Sequence, residues 1–593
     1  MIRTPLRPLA RILKAREQGQ NPDAIEAENI RLRHEETRDH DRQRAEGRLL
    51  VMGLAFFCAF VVVGARMGML AGSVPEEPIA QASGSPIIGQ RADIVDRNGR
   101  VLATNLDTHS LYAQIPDMVD PEKAARELAV IFDELDQDEL LADFTGGRKF
   151  LWIRRELSPE QMQAVHDIGD PGLLFGPREM RLYPNGSVAA HILGGATYGR
   201  EGVHSAEVVG VAGVEKFFDD FLRDPANEGA PLELSLDLTV QAASERVLAG
   251  GMTLMSAKGA SSVLMDVHTG EIISMVSLPD FDPNDRPRVL TEGDQSDSPL
   301  FNRAVQGVYE LGSVFKIFTI AQGIELGLIN ANTMIDTSGP LQWGRFRIRD
   351  FSNYGPELSA TDVIVKSSNI GTARVALQIG AGRQREFLDT LGFLEHTPIE
   401  MVEGPTGDPL LPPNWSEIST MTISYGHGLS SSPVHLAAGY SSLLNGGYRV
   451  EPTLVRQNGP QYGERVVSEQ VSATSRDMLR AVVDHGTASF GDVEGYEVGG
   501  KTGTADKPRP TGGYYDDRTI STFASVFPAN DPRYVLILTL DEPSIEALGE
   551  QRRTAGWTAV PVAAEMIRRV APLLGMRPDV ETATPTGVTL TSN

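Results

Sequence analysis

The run LLVMGLAFFCAFVVVGA, Leu49 to Ala65, carries no charge over 17 positions, and the apolar stretch continues to Ala71 with Arg66 as its one charged residue. At 1.5 Å of rise per residue such a helix crosses about 30 Å of hydrocarbon, with Arg66 reaching back to an interface. This feature divides the chain before any other consideration applies. Residues 1–48 form a charged head, residues 49–71 a transmembrane helix, and the bulk lies on the far side. Arg42, Arg44 and Arg48 precede the span, while no Lys or Arg follows Arg66 until Arg91. Positive-inside bias therefore puts the N-terminus in the cytoplasm and the bulk outside. A cleaved signal peptide would have a shorter leader and a shorter apolar core, so an uncleaved single-pass anchor is expected.

Charge and cysteine usage exclude several function classes. Residues 1–48 hold 11 Lys/Arg and 9 Asp/Glu, so of a formal net charge of -25 for the chain the part beyond them carries -27. A surface that acidic repels a phosphate backbone, and nucleic acid is not an expected partner. Cys58 is the one cysteine, which rules out a disulfide framework and a Cys-based metal site. The stretch His34-Glu-Glu-Thr-Arg lacks the second His of a zinc-protease helix. No metal and no cofactor are indicated.

Beyond a Gly/Ser/Pro-rich linker, RADIVDRNGRVLATN reads as two strands around an Asn-Gly turn. A non-catalytic pedestal begins there and runs, with the linker, over residues 72–231. It mixes short strands with helices such as DPEKAARELAVIFDEL and SPEQMQAVHDI, the second opened by a Ser-Pro-Glu start signal. From residue 232 a strand, an amphipathic helix, the apolar runs ASSVLMDV and EIISMVSLP, and the later runs TFASVFP and YVLILTLDEP predict an antiparallel sheet covered by helices. The fold class is thus α+β, an elongated pedestal followed by a catalytic domain over 232–574, with a disordered tail at 575–593.

The stretch GYEVGGKTGTADK admits two readings. As G-x-x-x-x-G-K-[ST], from Gly495 to Thr502, it matches a phosphate-binding loop, which requires a buried strand before it and a helix starting at Lys501-Thr502. SFGDVE before it and GTADKPRPTGG after it supply neither. As Lys-Thr-Gly-Thr on a strand it predicts two upstream partners, Ser-x-x-Lys and Ser-x-Asn. Of nine lysines, only Lys316 has a serine three positions before it, Ser313; of the asparagines, only Asn369 has one two before it, Ser367. Three singletons in the required order favour the second reading.

With these motifs the chain resembles the penicillin-binding proteins, and among them the monofunctional class B peptidoglycan D,D-transpeptidases. RLYPNGSVAAHILG, GVAGVEKFFD, NRAVQGVYELGSVFKIFT, KSSNIGTARVA and VGGKTGTADK carry the resemblance, which runs from about Arg91 to Leu574. SSNIG and KTGTADK are most similar to the division-specific septal enzyme rather than the elongation-specific one. No glycosyltransferase module is seen ahead of the pedestal, unlike the bifunctional class. Leu311 and Val314 depart from the usual Pro and Thr beside the nucleophile, which touches loop geometry and β-lactam affinity.

The residues themselves allow the chemistry. SVFKIFTIAQGIELG has helical spacing, so Ser313 stands at a helix N-terminus with Lys316 one turn on. A serine hydroxyl needs a base to take its proton, and a lysine serves if burial or a nearby charge lowers its pKa. Ser313 is the expected nucleophile and Lys316 its general base. Singly, each is an ordinary helix cap or solvated charge; the three motifs together outweigh that. Ser367 would relay the proton, and Asn369 would hydrogen-bond the lysine and the substrate backbone. Lys501, Thr502, Gly503 and Thr504, on an edge-like strand, would bind the substrate carboxylate and pair with the peptide. The resemblance implies an oxyanion hole from the backbone N–H groups of Ser313 and Thr504.

It also implies an acyl-enzyme formed from peptidoglycan stem peptides, acylation by β-lactams, and residence in the inner membrane with a periplasmic catalytic domain at the septum. The implied partners are a polytopic glycan polymerase and bitopic division proteins. A D,D-carboxypeptidase, an elongation-specific transpeptidase and a non-enzymatic division scaffold stay open. A β-lactamase is disfavoured, because Ser441 stands where the deacylating Glu of E-x-x-L-N belongs ahead of Leu444-Asn445. His427, Trp343, Trp415 and Trp557 are read as loop and core residues.

Overall fold

The computed structural model of the protein describes residues 91–579, apart from 202–205, 397 and 510–511, together with isolated positions before residue 62. The expected span at Leu49–Ala71 lies outside the described residues except for Phe60 and Val61, as do the linker and the tail beyond Asp579. Among the described residues no helix is long and apolar enough to cross a membrane. Residues Met1–Pro86 and Ile87–Asn593 are separate compact units, and the second holds all that follows.

The expected hairpin opens this unit. Ile94–Val95 pairs antiparallel with β1 (Val101–Gln114), and the Asp96 carboxylate closes the turn by accepting the N–H groups of Asn98 and Arg100 at 2.8 and 2.9 Å. Gly99 takes φ +77°, a conformation costly for any residue with a Cβ. β1 continues between β2 (Phe150–Leu157) and β3 (Leu173–Leu182), both antiparallel to it. The helices Pro121–Ile131 and Pro159–Ile168 bury Leu128 and Val165 with Leu111 of β1. Ser158 and Gln161 form the reciprocal cap that the Ser-Pro-Glu signal called for.

The same two-residue strand also pairs, in parallel, with Leu232–Glu233 at the start of the larger body. Beside it, buried Arg91 donates to Glu215 and Asp219 at 2.8 Å each, and Arg181 donates to Glu215 at 2.7 Å. Buried charges persist only when paired, so these residues tie RADIVDRNG, RLYPNG and GVEKFFD into one junction.

The body is a five-stranded antiparallel sheet built from β4 (Gly259–Asp266), β5 (Ile272–Leu278), β6 (Gly499–Pro508), β7 (Tyr514–Phe527) and β8 (Tyr534–Asp541). The strand order is β6-β7-β8-β4-β5, with Lys501 opposite Ala524 and Phe523 opposite Leu538. Every residue of β8 is buried, as its unbroken apolar run requires of a strand covered on both faces. Helices α1 (Leu238–Leu254) and α6 (Ala559–Leu573) pack together on one face. On the other lie α2 (Lys316–Glu325), α3 (Asn369–Ile379), α4 (Pro433–Leu444) and α5 (Glu469–His485). One detail differs from the sequence reading: Gly312–Phe315 form a 3-10 turn, and the α-helix starts at Lys316 instead of at Ser313.

Candidate active site

Glycines let the Ser313 turn and β6 meet. A Cβ on Gly503 would lie 2.2 Å from the Leu311 carbonyl oxygen and 3.0 Å from Val314 Cγ1, so only glycine lets the strand approach the turn this closely. Gly312, at φ +64°, would place a Cβ 3.0 Å from the Thr504 oxygen, and its N–H donates to the Gly426 carbonyl at 3.2 Å. Tyr440 holds the turn from below by donating its hydroxyl to the Val314 carbonyl at 2.8 Å. Ser313 is therefore fixed by backbone contacts on three sides while staying partly exposed. Leu311 and Val314, the two departures from the family pattern, are both buried packing residues.

Lys316 and Lys501 are each 0% exposed, and their ammonium groups meet on one hydroxyl. Lys316 Nζ donates to Ser367 O at 2.5 Å and to Ser367 Oγ at 2.9 Å; Lys501 Nζ donates to Ser367 Oγ at 3.0 Å and to Thr502 O at 3.1 Å. Oγ has two lone pairs for these donors, which leaves its own proton free to be given elsewhere. Burial, and then the Lys501 charge, hold Lys316 well below the usual ammonium range against a smaller opposing pull from Asp350. Burial brings Lys501 down to about 7. A lysine shifted in this direction gives up its proton more readily than a free one and so becomes an amine able to take a proton.

Ser367 occupies φ +61°, a strained conformation for serine, in the turn between the helix Ala360–Val365 and α3. Asp350 fixes that turn: its carboxylate accepts Ser368 Oγ at 2.7 Å, the Asn369 N–H at 2.6 Å and the Ile370 N–H at 3.0 Å. Sequence reasoning did not find Asp350, because an Arg-Asp pair 18 positions before a Ser-x-Asn motif has no pattern of its own. Asn369 stands at the first position of α3, and its Nδ2 donates to the Arg349 carbonyl at 3.0 Å instead of to Lys316.

Among the described residues β6 pairs with β7 alone, so its other side is an open edge. Thr502 Oγ1 is 2.7 Å from Thr487 Oγ1, and Thr504 Oγ1 accepts the Ala555 N–H at 3.0 Å. The structure brings Lys316, Ser367 and Lys501 into one hydrogen-bonded set and packs the Ser313 turn against Gly503-Thr504. Lys316 directs its bonds to Ser367 and not to Ser313. The phosphate-loop alternative fails, since Lys501-Thr502 lie within a strand and no helix begins there.

At the rim, Glu310 accepts the Gly428 N–H at 2.7 Å and the Tyr514 hydroxyl at 2.9 Å, joining the end of the β6–β7 hairpin to the loop of His427. His427 lies between Tyr425 and Tyr514, with ring centroids at 5.5 and 6.5 Å. Trp415 donates to Gln384 Oε1 at 3.0 Å and Trp557 packs on Phe490.

Residues 260–567 match the penicillin binding protein transpeptidase domain, and residues 86–228 match the penicillin-binding protein dimerisation domain. The probable peptidoglycan D,D-transpeptidase FtsI of Caulobacter vibrioides is 35% identical over 93% of this chain and 94% of its own. This chain belongs to the class B penicillin-binding proteins. Within the family, the peptidoglycan D,D-transpeptidase FtsI of Escherichia coli is 27% identical over 83% of this chain and 85% of its own. The crystal structure of penicillin binding protein 3 from Mycobacterium tuberculosis, complexed with aztreonam, superposes with a TM-score of 0.61 at 25% identity over 83% of this chain and 98% of that one. Penicillin binding protein 2X from Streptococcus thermophilus, at 21% identity over 82% of this chain and 80% of that one, shares the fold with a TM-score of 0.66. The resemblance drawn from the motifs and the α+β fold class are both borne out.

Proposed function

We propose that this penicillin-binding protein is the septal peptidoglycan D,D-transpeptidase of its cell and a target of β-lactams, acting through an acyl-enzyme on Ser313. The observation that carries the reading is the pair of fully buried lysines on the Ser367 hydroxyl beside the Ser313 turn. Lys316, its pKa lowered by burial, takes the proton of Ser313 Oγ as that oxygen attacks the carbonyl carbon of the penultimate D-Ala. The N–H groups of Ser313 and Thr504 stabilise the oxyanion, the second lying close to Gly312 across the gap that glycine leaves. Ser367 gives its proton to the departing nitrogen and recovers one from Lys316, so terminal D-Ala leaves as an amine and an ester remains on Ser313. An acceptor amine then attacks the ester, its proton returns by the same route, and Ser313 is regenerated.

Lys501, Thr502 and Thr504 orient the terminal carboxylate, and the open edge of β6 aligns the donor peptide as an added strand. Asn369 holds the turn that carries Ser367. In this reading residues 49–71 anchor the chain in the inner membrane, residues 72–231 are the pedestal, residues 232–574 catalyse in the periplasm, and 575–593 form a tail. The chain works beside a polytopic glycan polymerase and bitopic division proteins.

Intact-mass spectrometry of the detergent-solubilised chain after exposure to a penicillin tests the assignment. One adduct of the drug mass on the wild type and none on Ser313→Ala is expected. An adduct on both, or on neither of two folded proteins, removes Ser313 as nucleophile.

A further inference from the structure

The chain's strong negative charge makes one basic surface conspicuous. The hairpin Leu341–Trp343 and Phe346–Ile348 pairs Leu341 with Ile348, Gln342 with Arg347 and Trp343 with Phe346. Alternation sorts these residues by face. Ile348, Leu341 and Trp343 pack on Ile370 and Ala373 of α3 and on Met421, so the underside is anchored to the helix that carries Asn369. The outward face carries Arg347 and, two positions on, Arg349; Arg345 sits at the tip with its guanidinium 5.2 Å over the Phe346 ring. All three arginines are exposed, and none forms an ion pair among the described residues.

The neighbouring acids are already engaged. Asp350 turns inward to the start of α3, and Asp336 is paired with Arg374 at 2.8 Å. The basic row begins at the rim of the cleft, where the Arg349 carbonyl holds Asn369 Nδ2 at 3.0 Å. Phe351, 90% exposed, continues the surface.

We propose that the outward face of this hairpin is a substrate subsite in which Arg345, Arg347 and Arg349 take the free carboxylates of a peptidoglycan stem peptide. The proposal rests on the transpeptidase reading and extends it to substrate selection. A planar guanidinium donates two parallel N–H bonds to a carboxylate, and three of them at two-residue spacing suit an extended acidic peptide running from the cleft. A penicillin with an uncharged side chain lacks those carboxylates and does not use the row.

The test uses the full chain in detergent and two soluble donor peptides, one with free side-chain carboxylates and one with the same carboxylates amidated. For the variant R345Q/R347Q/R349Q, KM for the acidic peptide rises roughly five-fold or more, as loss of exposed ion pairs predicts, while kcat and the amidated peptide's KM stay near wild type. Arg568→Gln, an exposed arginine on α6 paired with Glu565, serves as the distant control and keeps the preference for the acidic peptide. An equal change for both peptides, or none for either, overturns the proposal and turns attention to a protein partner for this face. If the triple variant does not fold, Arg347→Glu is measured with the same pair of peptides, and the acidic one must lose more. Failure of the penicillin adduct on wild-type Ser313 is a different result, and would remove the transpeptidase reading itself.

Discussion

Replacing Gly503 by alanine tests the claim that the nucleophile is positioned by a backbone-to-backbone approach. The new methyl would stand 2.2 Å from the Leu311 oxygen, and reaching the 3.0 Å that side chains tolerate requires the turn and β6 to separate by about 0.8 Å. Leu311, Val314 and the strand are buried, so no flexible side chain absorbs that shift. A misplacement of about 1 Å between reacting groups costs on the order of 100-fold in rate. That corresponds to about 2.7 kcal/mol of barrier. Overpacking adds a stability loss of about 1–3 kcal/mol. The assay is the second-order rate constant for acylation by a fluorescent penicillin, with thermal melting alongside. Gly382→Ala is the control, since its Cβ meets nothing within 4 Å and it lies in the helix Ala381–Thr390. It should leave acylation unchanged and add up to about 1 kcal/mol of stability. Acylation of Gly503→Ala at the wild-type rate would refute the account of why this glycine is there.

The remaining predictions concern the groups around Ser367. Lys501→Met should abolish β-lactam acylation yet stabilise the fold at neutral and acid pH. Burial lowers this lysine from 10.5 to about 7 in the folded state, so between those values only the unfolded chain takes up the proton. Wild-type stability therefore falls as pH drops through that window, by up to ~5 kcal/mol, and levels off below it. Urea midpoints at pH 7 and pH 10 measure the difference, and a variant equally stable relative to wild type at both values contradicts the sign. Asp350→Ala removes three hydrogen bonds at the start of α3 and should cost about 1–3 kcal/mol while slowing acylation through Ser367. Wild-type urea stability in that variant would show that the turn is held by other means.

The candidate set was legible because the chemistry it suggests is written in short spacings. Ser313 and Lys316 are one turn apart, and Lys501 to Thr504 lie on one strand, so local geometry alone put each motif together. The assembly of the motifs was legible only through their order and the family resemblance. Asp350 escaped because its role depends on where a hairpin lands on α3, a tertiary fact with no local signature. Asn369 was expected to reach Lys316, but its backbone opens a helix and its side chain follows the neighbouring Arg349 carbonyl. The 3-10 turn at Gly312–Phe315 was read as α-helix because apolar periodicity continues through it, while the positive φ of Gly312 and its contact with Thr504 set the tighter winding. The sheet was read correctly as antiparallel, since hairpin turns such as HTGE join neighbouring strands directly.

The two-residue strand Ile94–Val95 is shared between pedestal and catalytic body, and this gives the junction a mechanical character. A pull on the chain ahead of Arg91 meets that residue's paired guanidinium first and then loads the short strand along its length, where hydrogen bonds on both sides resist in shear together. The strand is held by β1 on one side and by Leu232–Glu233 on the other. From Leu232 the chain runs into α1, which packs with α6 on one face of the sheet, so the shared strand joins the body on the side of that helix pair.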